Sequence, residues 1–192
     1  MKNADLAKLL TERSYLTASA EKPFKLASGR TSQFYFDCQA TTMFADAMPL
    51  IGRAFLEHIR TEGKNPLAVG GLTRGADPIA QAIARESLDS PPVLNSFSVR
   101  KQRKDHGTSR WIEGCASPGM RVVIVDDVIT SGGSVIQAID SAEDERLKIV
   151  QVIVLVDREE GGLKAIKDRV PDVPVSAIFL KSELDRKRGI DA

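Results

Sequence analysis

The run Arg121–Ser134, RVVIVDDVITSGGS, constrains this chain more than any other stretch. Val122, Val123, Ile124 and Val125 form an unbroken β-branched series. A continuous apolar run without polar alternation suits a parallel strand covered on both faces. Asp126 and Asp127 follow and are expected to end that strand. Two neighbouring carboxylates at the rim of an apolar strand repel each other and cost stability when buried unpaired. They become tolerable when they face a polyol or a metal ion. Thr130, Ser131, Gly132, Gly133 and Ser134 then make a small polar turn, and glycine there lets backbone approach a ligand closely. The pattern predicts a helix over Val135–Ala142. Its free N-terminal N–H groups and its macrodipole favour an anion in the turn. Acids for hydroxyls beside amides for an anion suit a sugar phosphate.

Ordinary βα turns also use Asp, Ser and Gly as caps, but a double acid followed by five small residues exceeds what capping needs. The run is not a Walker loop, since no Gly-Lys-Ser/Thr follows. Its glycines are adjacent rather than spaced as in the dinucleotide fingerprint.

Around this run, strand and helix patterns alternate from Leu67 onward. Strands are predicted at Leu67–Leu72, Val93–Val99, Arg121–Val125, Lys148–Val156 and Val173–Leu180. Helices are predicted at Asp77–Leu88, with Pro78 near its first position, and at Glu159–Arg169. This alternation predicts an α/β fold built on a doubly wound, mostly parallel sheet with right-handed crossovers. Ligands then collect at the carboxyl ends of the strands. Three turns lie there: Gly70–Ala76, Asp126–Ser134 and Asp157–Gly162. Residues 1–60 differ. A helix near Asp5–Glu12, an aromatic patch at Phe24–Phe36 and a helix over Ala47–Thr61 are expected to form a small cap over the sheet edge. Residues 61–192 supply the core of what reads as a single domain, since 192 residues fit one domain of ordinary size.

Composition narrows the functional classes. Hydrophobic residues make up 42 % of the chain, enough for a substantial core. A net charge of +1 gives no electrostatic support for a nucleic-acid or membrane-surface role. No apolar stretch approaches a membrane span, and MKNADLAKLL does not read as a secretory signal. Cys38 and Cys115 lack metal-site or redox-motif spacing, so reduced thiols in a cytoplasm are expected. His58, beside Glu57 and Arg60, reads as a solvated surface residue.

Four further segments carry chemistry. GGLTRGADPIA, Gly70–Ala80, is a strand, a tight turn and a helix start, where free N–H groups and Arg74 could hold an anion; a plain βα turn is the alternative. RKQRKDHGTSRWIEG, Arg100–Gly114, sets Arg100, Lys101, Arg103, Lys104 and Arg110 against Asp105 and Glu113. So long a connection without apolar period is either a solvated charged loop or a lid closing on a polyanion, with Gly107 and Gly114 permitting movement. In LVDREEGG, Leu155–Gly162, Arg158 is expected at a helix start, where a cation opposes the dipole unless an anion faces it. A bidentate guanidinium holds a carboxylate well; an ion pair with Glu159 or Glu160 is the alternative. FKLASGRTSQFYFD, Phe24–Asp37, is an aromatic cluster that is either core or ligand platform.

Taken in order, from the Ser28-Gly29 step to the DREEGG run, these motifs resemble those of type I phosphoribosyltransferases, and most closely the orotate phosphoribosyltransferases. The resemblance implies transfer of a phosphoribosyl group from phosphoribosyl pyrophosphate (PRPP) to orotate, with Mg²⁺ as cofactor. It implies PRPP contacts from Asp126, Asp127, Val128, Ile129, Thr130, Ser131, Gly132, Gly133 and Ser134, which hold ribose and 5′-phosphate. Thr73 and Arg74, joined by an unusual cis peptide, would hold pyrophosphate together with Arg100, Lys101, Lys104 and His106. Lys104, His106 and Asp127 are the implied catalytic residues. Thr130, Arg158, Tyr35 and Phe36 are the implied orotate contacts. A homodimer is implied, with the cationic lid reaching into the partner's site. One departure stands out: some relatives carry lysine before the Ser-Gly step, where this chain has Ala27, although Lys25 points to the same face of a strand. A purine-base phosphoribosyltransferase would keep the PRPP turn without needing Arg158 or the long lid. A PRPP-sensing regulator that binds RNA or DNA would need a basic face, which a net charge near zero does not provide.

Overall fold

The computed structural model describes residues 3–19, 21–25, 31–102 and 111–189. The N-terminal part runs α1 (Ala4–Arg13), β1 (Tyr15–Thr17), β2 (Phe24–Lys25), β3 (Thr31–Ser32), β4 (Phe34–Phe36), α2 (Gln39–Thr42), a 3₁₀ turn at Ala45–Ala47 and α3 (Met48–Thr61). Then follow β5 (Ala68–Leu72), α4 (Ala76–Asp89), β6 (Asn95–Val99), β7 (Ile112–Gly114), β8 (Arg121–Ile129) and α5 (Gly133–Asp144). The chain closes with β9 (Lys148–Asp157), α6 (Gly162–Arg169), β10 (Val175–Leu180) and α7 (Lys181–Arg188).

Six strands form one sheet in the order β10-β9-β8-β5-β6-β7. All neighbours are parallel except β7, which runs antiparallel to β6. The expected doubly wound, mostly parallel sheet is therefore present. Successive residues of β8 go to opposite faces, as strand geometry requires. Val123 and Val125 join an apolar cluster with Val69, Ile153 and Leu155, covered by α1, α3 and α4 through Leu6, Leu10, Ile51, Phe55, Ile79 and Ile83. Val122 and Ile124 join Ala68, Phe97, Val152 and Val154 beneath α5 and α6, through Val135, Ile139 and Ile166.

Three expectations need correction. The N-terminal helices α1 and α3 cover a face of the sheet rather than its edge, because their apolar stripes share a cluster with Val123 and Ile153. Within the charged run, Ile112–Gly114 is an edge strand paired with Val99, Ser98 and Phe97. Ile112 packs on the second core cluster, and Gly114 is held in sheet register rather than free as a hinge. His58 is half-buried, with Nε2 2.8 Å from Ser176 Oγ on β10, not solvated.

Helix α7 closes the molecule and was not foreseen. Its sequence KSELDRKR buries Leu184 alone and shows no apolar stripe. It is held by distant partners instead. Tyr15 Oη donates to Asp185 Oδ1 at 2.5 Å, and Arg188 Nη1 donates to the carbonyls of Thr11 and Tyr15. Burial and the Asp185 carboxylate together push the Tyr15 phenol far up. Among the described residues, no helix is long and apolar enough to cross a membrane.

Candidate active site

Strand order reverses beside β5. The chain leaves β5 for β6 on one side, whereas β8, β9 and β10 are added on the other. Such a switch point opens a crevice at the carboxyl ends of the strands. Register shows where it opens. β5 pairs with β8 only as far as Gly70 opposite Ile124, while β8 stays paired with β9 to Ile129 opposite Asp157. Asp126 and Asp127 therefore lie inside β8 rather than ending it, because β9 carries the ladder onward. They occupy the stretch where β8 has lost its other neighbour.

The result is a cleft of about 320 Å³. Its walls include Leu72 at the end of β5, Thr73, Arg74 and Gly75 after it, Asp126, Asp127 and Val128 of β8, Ser134 of α5, Lys101 after β6, and Gln39 of α2. Asp126 is 5 % exposed and Asp127 9 %. Burial, reinforced by the neighbouring Asp127, pushes the Asp126 carboxyl up to about 8; the Asp127 amide and Lys101 oppose the shift. Burial also raises Asp127, against the hydrogen bond from the Val128 amide. Each acid accepts a backbone N–H: Asp127 N–H to Asp126 Oδ1 at 3.1 Å, and Val128 N–H to Asp127 Oδ1 at 2.8 Å. Such a pair is poised for partners that donate or carry positive charge.

The turn after β5 closes tightly on these acids. A Cβ on Gly75 would sit 2.5 Å from Asp126 Oδ1 and 2.7 Å from Asp127 Oδ1, so the approach requires glycine. The Thr73–Arg74 peptide is cis, at the place expected. The turn after β8 ends at Gly132, whose φ of +83° lets the chain enter α5. Thr130, Ser131, Gly133 and Ser134 are exposed around the N-terminus of α5. The third turn packs directly against this one: a Cβ on Gly162 would lie 2.5 Å from the Thr130 carbonyl oxygen. The Arg158 N–H donates to the Ile129 carbonyl at 3.0 Å. The three turns picked out in the sequence thus converge.

Other expected residues fare differently. Lys101 lines the cleft, and its carbonyl accepts from Gln137 Nε2 at 3.0 Å. Arg100 is ion-paired with Glu113 at 2.7 Å. Lys104 and His106, with Arg103, Asp105, Gly107 and Arg110, lie outside the described residues, as do Ala27, Ser28 and Gly29. Arg158 does not stand at a helix start, because α6 begins at Gly162 and Glu159 adopts a φ of +61°. The Glu159 N–H donates to Asp157 Oδ1, which makes a turn instead. Arg158 pairs with Glu160 at 2.8 Å, although its buried Nε has no partner among the described residues. The aromatic pair is split, since adjacent strand residues face opposite ways. Phe36 is buried edge-on to Tyr15, ring centroids 5.0 Å apart, whereas Tyr35 is exposed beside Phe24. Gln39 had escaped notice because CQATT carries no motif; Gly75 sat unremarked inside the Gly70–Ala76 turn.

Comparison with known proteins agrees with this geometry. The family described as the phosphoribosyl transferase domain matches residues 41–177. The orotate phosphoribosyltransferase of Aquifex aeolicus is 42 % identical over 179 residues, covering 93 % of this chain and 95 % of that protein. That of Rhodopirellula baltica is 38 % identical, covering 87 % and 88 %. The chain belongs to the orotate phosphoribosyltransferase family. Among solved members of that family, the Mycobacterium tuberculosis H37Rv orotate phosphoribosyltransferase in complex with PRPP superposes with a TM-score of 0.78 at 31 % identity, covering 95 % of this chain and 98 % of that one. The adenine phosphoribosyltransferase of Leishmania tarentolae, at 16 % identity and a TM-score of 0.65, shares the fold. The orotate phosphoribosyltransferase relatives match almost end to end, so the N-terminal elements over the sheet face fall within the likeness.

Proposed function

We propose that this chain transfers the phosphoribosyl group of PRPP to orotate, giving orotidine 5′-monophosphate and pyrophosphate, in pyrimidine (UMP) biosynthesis. One observation carries the reading: a buried acid pair and a glycine turn face each other across one cleft, with the N-terminus of α5 beside them. Asp126 and Asp127 take the ribose hydroxyls, Thr130–Ser134 the 5′-phosphate, and the turn that Thr73 opens takes the pyrophosphate through Arg74 and the backbone N–H groups that follow, together with Arg100 and Lys101. The bond from C1 of ribose to pyrophosphate breaks, its electron pair leaves with pyrophosphate, and a ring nitrogen of orotate bonds to C1 as its N–H proton is lost to solvent. Positive charge developing on the ribose is balanced by Asp127. Lys101, with Lys104 and His106, meets the charge growing on the leaving group. Preorganised charge of this kind is usually the largest catalytic term. No covalent nucleophile is needed. Arg158, released from Glu160, holds the orotate carboxylate, with Thr130 and Tyr35 beside the ring.

Mg²⁺ fits the donor set. Among the described residues that line the cleft, the carboxylates are Asp126 and Asp127, and no cluster of three or more His, Cys, Asp or Glu is arranged to hold a metal. A hard cation that takes most of its ligands from phosphate oxygens and water suits such a site. Asp126 and Asp127 would hold it from the protein side, and when bound it would neutralise pyrophosphate charge. The free thiols of Cys38 and Cys115 support a reducing cytoplasm. A homodimer with residues near Lys104 lent to the partner's site completes the proposal.

The direct test is loss of orotate absorbance when the protein is mixed with PRPP and Mg²⁺. Turnover with a purine base and none with orotate would reject the assignment. For the shared site, subunits carrying Lys104→Ala are mixed with subunits carrying Asp127→Asn. Partial recovery of activity is expected, and none after verified subunit exchange would reject sharing.

A further inference from the structure

Asp77 lies in the first turn of α4, outside the cleft, yet it ties two cleft walls together. Its Oδ2 accepts the Thr73 hydroxyl at 2.6 Å, and its Oδ1 accepts the Ser98 hydroxyl at 2.7 Å. Thr73 belongs to the turn that follows β5. Ser98 belongs to β6, which continues after Val99 into Arg100 and Lys101. The same two walls are joined once through backbone, where Thr73 N–H donates to the Val99 carbonyl at 2.9 Å. An acid at a helix start is often there as a cap, but the N-cap of α4 is Gly75 and both Asp77 oxygens accept side-chain hydroxyls.

The chemistry of that arrangement is directional. An ionised carboxylate only accepts, so both hydroxyls must spend their single proton on Asp77. Thr73 Oγ1 then has only lone pairs to offer the cleft and cannot donate to an anion. Anion binding at this turn is left to backbone N–H groups, Arg74 and Lys101. These work together only if the turn and the end of β6 keep a fixed spacing, because a polyanion must meet both at once.

We propose that Asp77 is a positioning residue for the pyrophosphate of PRPP, clamping the Thr73–Gly75 turn to the strand that delivers Lys101. The inference rests on the proposed transferase reaction for its kinetic readout and on inorganic pyrophosphate binding for an independent one.

The test compares Asp77→Ala, Asp77→Asn, Thr73→Val and Ser98→Ala with the natural chain, each first checked for folding by thermal melting. Asp77→Ala should raise the PRPP KM and the Kd for inorganic pyrophosphate by about tenfold, the size of one lost charge-assisted hydrogen bond. The orotate KM should stay within about twofold. Asp77→Asn keeps one acceptor and should fall between. Adding Thr73→Val to Asp77→Ala should cost less than it does alone, since the two act as a unit. Unchanged PRPP and pyrophosphate affinities in a folded Asp77→Ala protein would overturn the proposal. So would equal increases in both substrate KM values. Should Asp77→Ala not fold, Thr73→Val and Ser98→Ala each break one arm of the clamp and decide by the same constants. A natural chain inactive with orotate would reject the reaction, and pyrophosphate calorimetry alone would then decide the clamp.

Discussion

The two halves of the candidate site are built on opposite terms. On the sugar-phosphate half, the protein buries two acids against backbone amides, and burial keeps a proton on Asp126 up to about pH 8. Asp126 and Asp127 are buried side by side, with backbone amides as partners and their carboxyls pushed up by burial. On the base half the charged end of Arg158 and the Phe36 ring are engaged internally, although Arg158 Nε is left over. Arg158 is paired with Glu160, and Phe36 is packed against Tyr15. A ligand rich in hydroxyls and charge can repay the cost of a buried acid pair, whereas a small base carrying one carboxylate must compete for an arginine already engaged. The sugar-phosphate half should therefore behave as a rigid template and the base half as an exchange of ion pairs.

The harshest way to break this contrast is Asp127→Asn. Turnover should fall by about 10²–10³-fold, the usual cost of a preorganised charge partner. The thermal midpoint should hold or rise, because an unpaired buried carboxylate is costly. Steady-state kinetics beside calorimetry would show both, and a loss below tenfold would remove the acid from its role. Gly75→Ala comes next. Its Cβ must displace two carboxylate oxygens at 2.5 and 2.7 Å. A misplacement of this kind should lower kcat by about 10²-fold without unfolding the chain; near-normal kcat would show that the template yields. Arg158→Ala should be milder, raising the orotate KM about tenfold while the PRPP KM holds. Glu160→Gln, which frees Arg158, should shift the orotate KM the other way. Equal effects on both substrates would erase the distinction between the halves.

A separate effect, on stability rather than on activity, is in pH. The Asp126 carboxyl is raised from 3.8 to about 8 in the folded chain. Between those values the folded chain keeps a proton that the unfolded chain has released. The stability from this group is full below about pH 4 and is lost as pH rises through about 8. Melting temperatures of Asp126→Asn relative to the natural chain should thus gain steadily from pH 5 to pH 8. A constant difference would mean that the acid is not buried as described.

Much of the fold was legible because its signals are local. The β-branched run Val122–Val125, the alternation after Leu67 and the Gly132–Gly133 turn each announce their state within a few residues. Errors arose where a distant partner decides. β8 runs on through Asp126 and Asp127 because β9 extends beside it to Asp157. β7 exists because β6 offers an edge, and α7 because Tyr15 reaches Asp185 across 170 positions of sequence. Tyr35 shows the same limit, since its neighbour Phe24 lies on another strand, whereas the Arg158–Glu160 pair, being local, was one of the alternatives the sequence offered.

By itself the sequence determined the layered α/β architecture, the three turns and the chemistry of the acid pair. Those follow from side-chain period, backbone permissiveness and charge, all carried by neighbouring residues. Only the tertiary structure decided that β8 parts from β5 at the acids, that Gly75 closes on them and that Asp77 joins two walls. Each depends on strands meeting in one register, and register is set by the packing of the whole sheet rather than by any short stretch of chain.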